Sequence, residues 1–329
     1  MFHAEAFAVV ALVLFIDLAF GELPNRFHPL RWIGNLLSSI ESRTRESAGW
    51  KKYALGPVSY FLVVALFLIP CVALTALARH YAGMAGWVVA TAVVLKICLA
   101  VFSFRVHCEP IAKDLEDGDT VAAAEKTQMI VSRKTEGMGE RELASSCVET
   151  VSENFADSVV SPGFYFGFLG IIGCVAFRCA NLMDAMWGYR DERFGKIGWF
   201  PAKLDDVLGY LPSRLSALFV AIGTAFSRGG FRGAVAGAMR WHGSVPSPNS
   251  GWPMGAFAGG MGVTMEKKGV YVIGDGQPAT VTDIRASYSL LERSSAIFLF
   301  AFVAVLFAFV GADVQMWLEN AFLGLAGFA

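Results

Sequence analysis

Apolar positions in this chain fall in long unbroken runs, not in the alternating stripes of a water-soluble fold. A membrane-crossing helix needs about 20 mostly apolar residues. Four runs come close to that need: 4–20, 56–78, 82–104 and 295–311. Two more are broken or short. Residues 158–180 (SVVSPGFYFGFLGIIGCVAFRCA) carry Pro162, Gly163, Gly167, Gly170 and Gly173, and residues 213–226 are too few to cross alone. Interrupted backbone at membrane depth is tolerated only where protein or water covers it, so both read as re-entrant or partial helices. Beyond 311 the chain is apolar again but interrupted by Gly311, Asp313 and Glu319, which reads as a short interfacial helix.

Charge then orients these runs, because cytoplasmic loops are enriched in Lys and Arg. Loops 21–55, 105–157 and 178–214 hold six basic residues each, and 227–293 holds seven. The turn 79–84 holds only Arg79, and none follows Arg293. The N-terminus is therefore expected outside, with loops 21–55, 105–157, 181–212 and 227–293 on the cytoplasmic face. The start, MFHAEAFAVVALVLFIDLAFG, lacks the basic opening and small-residue cleavage site of a secretory signal and reads as a retained first span. The expected fold class is an all-α polytopic membrane protein in the cytoplasmic (inner) membrane of the cell. It is expected to form one integral membrane domain over 1–329, with about four firm transmembrane helices, one or two re-entrant or partial helices, and helical cytoplasmic loops.

Composition narrows the function classes. The 329 residues are 55% hydrophobic and 17% charged, against about 45–50% and about 25% in soluble domains, which argues against a plain soluble enzyme. The 27 Phe and 8 Trp argue against fibrous and disordered chains, and the net charge of −1 gives no sign of nucleic-acid binding. Six cysteines without a C-x-x-C pair form neither a disulfide framework nor a zinc site and read as small apolar residues.

The polar loops carry the candidate chemistry. Asp119 or Thr120 can cap a helix starting at Val121, and Gly137 and Gly139 separate it from a second helix from about 140. That second helix turns Ala144, Cys147, Val148 and Val151 to one side. It also carries Glu149, Glu153 and Asp157 at i, i+4 and i+8, one stripe of like charges that a cation would relieve; the plain alternative is a solvated acidic face. ANLMDAMWGYR places Asn181, Asp184 and Gly188 on one helical face at a membrane edge, where an interfacial cap is the plain alternative. KLDDVLGYLPSRL supplies the pair Asp205–Asp206, with Pro212 in the first turn of a new helix and Arg214 placed to snorkel or to clamp a phosphate. SPNSGWP (247–253) is a specific turn, read as a loop folded onto the site or as a structural corner. There is no P-loop, since SRGGFRGAVAG lacks the Lys-Ser/Thr end, and no G-x-S-x-G or H-E-x-x-H.

Taken together, these segments resemble the membrane-bound adenosylcobinamide-phosphate synthases of cobalamin biosynthesis, the CobD/CbiB family. The likeness runs in order through IDLAFGEL…HPLRWIG (with Asp17, Gly21, His28, Pro29, Arg31, Ile33 and Gly34), ETVSENFAD, NLMDAMWGYR, LDDVLGYLPSRL, SPNSGWP and TVTDIRASYSLL. It departs at Lys134, Gly209 and Met254, where the family often carries Asp, Asn and Glu. The resemblance implies amide-bond formation between a propionate of adenosylcobyric acid and an amino-alcohol phosphate (aminopropanol or ethanolamine phosphate), with Mg²⁺ and ATP. Its implied partners are those two substrates, the lipid bilayer and neighbouring cobamide-assembly enzymes. Glu153, Asp184, Asp205 and Asp206 are the implied catalytic carboxylates, and the last three the first choice for metal ligands. Arg31, Arg133, Arg190 and Arg214 are candidate phosphate clamps. Asn154, Asn181 and Asn249 can orient amides or phosphate, and Glu153 or His28 can take the ammonium proton. Asp157, Tyr189 and Ser247 complete the binding set. A transporter, a diphosphate-binding prenyltransferase and a non-enzymatic scaffold are the rival classes. No internal repeat supports the first, and Gly209 stands where the second would want another Asp.

Overall fold

A computed structural model describes residues 3–24, 26–225 and 227–328. It is 76% helical with almost no strand, so the chain is an all-α protein with membrane-spanning helices. In chain order the helices are α1 (His3–Phe20), α2 (Pro29–Thr44), α3 (Gly49–Cys98), α4 (Ser103–Glu116), α5 (Thr120–Gln128), α6 (Glu140–Phe155), α7 (Ser161–Leu169), α8 (Ile171–Trp187), α9 (Trp199–Leu208), α10 (Tyr210–Gly223), α11 (Gly230–Trp241) and α12 (Gly251–Met261). Three short strands follow, β1 (Val263–Lys267), β2 (Tyr271–Ile273) and β3 (Gln277–Pro278), and then α13 (Val281–Phe298), α14 (Ala304–Leu306) and α15 (Ala312–Leu325). Single π-helical turns occupy Ala156–Val160, Leu299–Val303 and Phe307–Gly311. The chain packs as two compact units: Met1–Leu99 with Ser161–Leu208 and Leu299–Ala329, and Ala100–Val160 with Gly209–Phe298.

In the first unit, His3–Phe20 and Gly49–Cys98 are long and apolar enough to cross a membrane, as is the helical run Val281–Leu325 that enters it. The 50-residue α3 is two arms broken at Gly83, whose φ of 64° only glycine adopts freely. A Cβ on Gly86 would lie 2.6 Å from the Ala78 carbonyl. Eight residues of straight helix rise about 12 Å, so the chain turns back at Gly83 into two spans, as the hydropathy predicts. The second arm ends at Cys98, not at 104, because Leu99 turns extended (φ −110°, ψ 146°).

A second reversal separates α7 from α8 at Gly170, with φ +61° and Gln315 packed where a Cβ would stand. The stretch after Gly311 is not a separate interfacial piece. The π turn Phe307–Gly311 absorbs the glycine and α15 continues the helix. Glu319 is wholly buried there, held by Trp87 Nε1–H at 2.9 Å, Gln315 at 2.9 Å and the Arg79 guanidinium at 3.1 Å.

In the second unit, α6 faces Leu143, Ala144, Cys147, Val148 and Val151 inward as its spacing predicts. Asp119 caps α5 by accepting the Ala122 N–H at 2.9 Å. The glycine-rich SRGGFRGAVAG turns out to be helix-packing surface. A Cβ on Gly233 or Gly237 would strike the backbone of Gly259 or Gly255, and Gly255 and Gly259 return the same constraint. This four-residue spacing of glycines lets α11 and α12 approach closely. α10 is a short apolar helix, and Phe226, the last residue of the predicted partial segment 213–226, lies outside the described residues. The small sheet was not anticipated. β1 pairs antiparallel with β2 (Met265 opposite Ile273) and parallel with β3 (Val263 opposite Gln277), and Ser145 of α6 fixes it through the Glu266 N–H at 2.8 Å.

Candidate functional site

In the first unit, α8 and α9 assemble a carboxylate cluster. The Arg178 guanidinium donates to Asn181 Oδ1 at 2.9 Å, and Asn181 Nδ2 donates to Asp205 Oδ1 at 3.3 Å. Lys203 meets Asp206 at 3.1 Å. Burial, and next the charge of Asp206, raise the Asp184 carboxyl above its ordinary value. Burial and the nearby Asp184 push Asp205 up to about 7. These are carboxylates with too little positive charge of their own, the condition a bound cation relieves. Among the described residues no group of three or more His, Cys, Asp or Glu side chains is arranged to hold a metal ion. Mg²⁺ does not require such a trio, since it commonly takes one or two carboxylates together with phosphate oxygens and water. The pair Asp184 and Asp205 suits a hydrated Mg²⁺ held in that manner.

The proton and such a cation compete for Asp205, and the sign follows from its raised value. The folded state holds this proton more tightly than the unfolded chain does. The contribution to stability is therefore present at acid pH and lost as pH rises through about 7. Cation affinity should run the other way. Mg²⁺ titrations of the purified protein should show tighter binding at pH 8 than at pH 6, with proton release on binding near pH 7; equal affinity at both would contradict the assignment.

Other polar residues of the first unit are anchored. His28 caps α2, its Nδ1 accepting the Leu30 N–H at 3.3 Å, which leaves Nε2 facing Glu22 at 3.5 Å. Lys96 joins Asp17 at 2.8 Å and Glu22 at 2.9 Å. Burial opposes the Glu22 charge, but His28 and Lys96 outweigh it and hold this carboxyl below its ordinary value. Glu41 is held at about 2 by hydrogen bonds from Arg193 and Arg45, which tie the loop after α8 to α2. Arg31, Tyr189 and Arg190 are exposed.

The second unit holds the remaining expected residues in two groups. Arg133 donates to Ser146 Oγ at 2.9 Å and pairs with Glu149 at 3.1 Å. Glu149 also engages Tyr271, whose phenol is raised by burial and by that charge. Glu153 is raised by burial first and by Glu149 second. Glu149 and Glu153 lie on α6, and Asp157 falls in the π turn Ala156–Val160 that follows it. Asn154 is occupied locally, donating to the Thr150 carbonyl at 2.9 Å and accepting from Ser158 at 3.2 Å.

The other group sits where α10 meets the SPNSGWP turn. Ser247 Oγ accepts the N–H groups of Asn249 and Ser250 at 3.2 Å. Buried Asn249 accepts from Ser213 and Arg214 at 3.4 Å. The Arg214 guanidinium lies 3.5 Å over Tyr210 and 4.9 Å from the Trp252 ring, which His242 covers at 4.4 Å. Trp252 Nε1 is buried without a hydrogen-bond partner among the described residues. Arg178 and Tyr271 escape the sequence reading, while Trp252 enters it only within the SPNSGWP turn and Lys96 only as a charge in an apolar run. Only tertiary packing brings them to the expected residues, although an apolar-run lysine such as Lys96 is itself a signal.

Fold and site together define a polytopic helical membrane protein with desolvated carboxylates on one unit and arginine-rich polar groups on the other. The sequence profile of the CobD/Cbib protein family matches residues 10–311. A cobalamin biosynthesis protein CobD of Dehalococcoides mccartyi is 32% identical over 92% of this chain and 98% of its own length. A probable cobalamin biosynthesis protein CobD of Methanothermobacter thermautotrophicus is 35% identical over 82% of this chain and 86% of its own. A protein so named from Chromobacterium violaceum is 33% identical over 88% and 93%. No solved structure matches. The chain belongs to the CobD/Cbib family.

Proposed function

We propose that this chain acts in cobalamin biosynthesis by joining a propionate of adenosylcobyric acid to an amino-alcohol phosphate, at the cytoplasmic face of the cell membrane, with Mg²⁺ and ATP. The observation that carries the reading is the Asp184–Asp205 pair, half-buried and short of positive charge. A carboxylate does not acylate an amine near neutral pH and must first be activated. Phosphoryl transfer from ATP to the propionate gives an acyl phosphate and ADP; attack by the amine then forms the C–N bond and releases phosphate. Mg²⁺ would neutralise and orient phosphate oxygens during this transfer. Asn181, held by Arg178, fixes the orientation of Asp205.

The amine arrives as an ammonium and must lose a proton. Glu153 suits that task better than His28, since its raised carboxyl can hold a proton nearer neutral pH. Both ring nitrogens of His28 are engaged, at Leu30 and Glu22. Arg214, stacked on Tyr210 and Trp252, would meet the substrate's phosphate edge-on, through N–H groups other than the Nη1 that serves Tyr210 and Asn249.

The purified chain in lipid nanodiscs, given adenosylcobyric acid, either amino-alcohol phosphate and Mg·ATP, should raise the corrinoid mass by one amine less one water. An unchanged corrinoid with both amines overturns the reading.

A further inference from the structure

The second unit contains a cavity of about 570 Å³ between the loop before α6, the first turns of α6 and the β1–β2 hairpin. Five basic side chains line it: Arg133, Lys134, Arg141, Lys267 and Lys268. Only Glu142 and Glu266 oppose them, and Glu142 is engaged by the Gly139 N–H at 2.9 Å and by Lys268 at 3.6 Å. The wall is preformed. Ser145 locks β1 to α6, and Ser146 and Glu149 fix Arg133. The Arg133 Nε–H is buried and has no hydrogen-bond partner among the described residues. One side of the cavity is apolar, formed by Met138, Val270, Pro278 and Ala279.

We propose that this cavity binds the polyphosphate of a nucleoside triphosphate, with its base against the apolar side. The inference rests on the amide-synthase reading, which requires such a co-substrate. Phosphate is the shared chemistry of nucleotide and amino-alcohol phosphate, and two features favour the nucleotide. A three-carbon amine with one phosphate fills only part of a cavity within the usual small-molecule range of roughly 300–1,000 Å³, and it has no ring for the apolar wall. The cluster of five cations also exceeds what one phosphate needs but matches a chain of three. Arg133, which the sequence groups with the clamps for the amine's phosphate, is thereby reassigned. This places the nucleotide at residues without the P-loop pattern, on a hairpin and a helix start.

The test uses the full chain in nanodiscs, without corrinoid. A non-hydrolysable ATP analogue should bind, and Arg141→Glu and Lys268→Glu, both exposed on the rim, should each weaken it by about tenfold or more. Lys51→Glu, exposed on α3, is the control and should bind as wild type. In the amide assay the two rim variants should raise KM for ATP and leave KM for the amine unchanged. Photolabelling of the unaltered protein with an azido-adenine nucleotide should mark peptides containing Met138 or Val270, a result independent of any variant's folding. Label elsewhere, or rim variants with wild-type nucleotide affinity, overturns the proposal. So does displacement of the analogue by aminopropanol phosphate alone. Nucleotide binding here without amide formation would sink the synthase reading and leave the pocket standing. Amide formation with an unaltered KM for ATP would do the reverse.

Discussion

Asp205→Asn should lower kcat for amide formation by on the order of a thousandfold while leaving the protein at least as stable as wild type at pH 8. The substitution keeps the size of the side chain and a partner for Asn181, but removes the charge proposed to bind a cation. The two effects should separate because of the carboxyl's raised value, about 7. Above that pH the folded state carries an ionised group that burial and Asp184 disfavour, and Asn removes the penalty. Thermal unfolding at pH 6 and pH 8 should therefore show the variant gaining on wild type at the higher pH, where kinetics show it inactive. A variant that loses activity and stability together would point to a structural aspartate instead. A variant with wild-type kcat would remove Asp205 from the chemistry.

Glu319→Ala should be the most destabilising single change in the first unit, by about 3–5 kcal/mol. The carboxylate is completely buried and serves Arg79, Trp87 and Gln315 at once. Gln315 in turn donates to Thr91 and accepts the Ile171 N–H next to the Gly170 break. Removing the carboxylate takes the ion-pair partner from the Arg79 guanidinium and the acceptor from the buried Trp87 N–H. Glu319→Gln keeps an acceptor and should lose less. Trp fluorescence during thermal unfolding in detergent reads the difference. Equal midpoints for wild type and Glu319→Ala would mean that the network contributes nothing to the fold.

Much of the helical frame is legible in the sequence because it depends on local chemistry. Hydropathy finds α1 and the two arms of α3, Asp119 marks the start of α5, and glycines at 137 and 139 precede α6. Three features escape for physical reasons. The β1–β2 hairpin is too short and too charged to stand out, although Val263 and Met265 alternate with Thr264 and Glu266 and a glycine follows the lysine pair. Asp313 and Glu319 look like breaks in an apolar run, because only packing shows that Arg79 and Trp87 wait for the glutamate. The π turn at Ala156–Val160 leaves no mark in a pattern read at helical spacing, and Asp157 falls inside it. The candidate residues are legible as types, while their pairings are not. Asn181 meets Asp205, and Arg133 meets Glu149, through tertiary folding.

The amide-synthase account is tested most directly by oxygen label. Adenosylcobyric acid carrying ¹⁸O in its reacting carboxylate is given to the purified chain with aminopropanol phosphate and Mg·ATP. The account predicts one ¹⁸O kept in the new amide and one transferred to the phosphate released, with one ADP formed per amide. A corrinoid that keeps both labels and its original mass while ATP is hydrolysed, or is moved unchanged across a proteoliposome membrane, would contradict it.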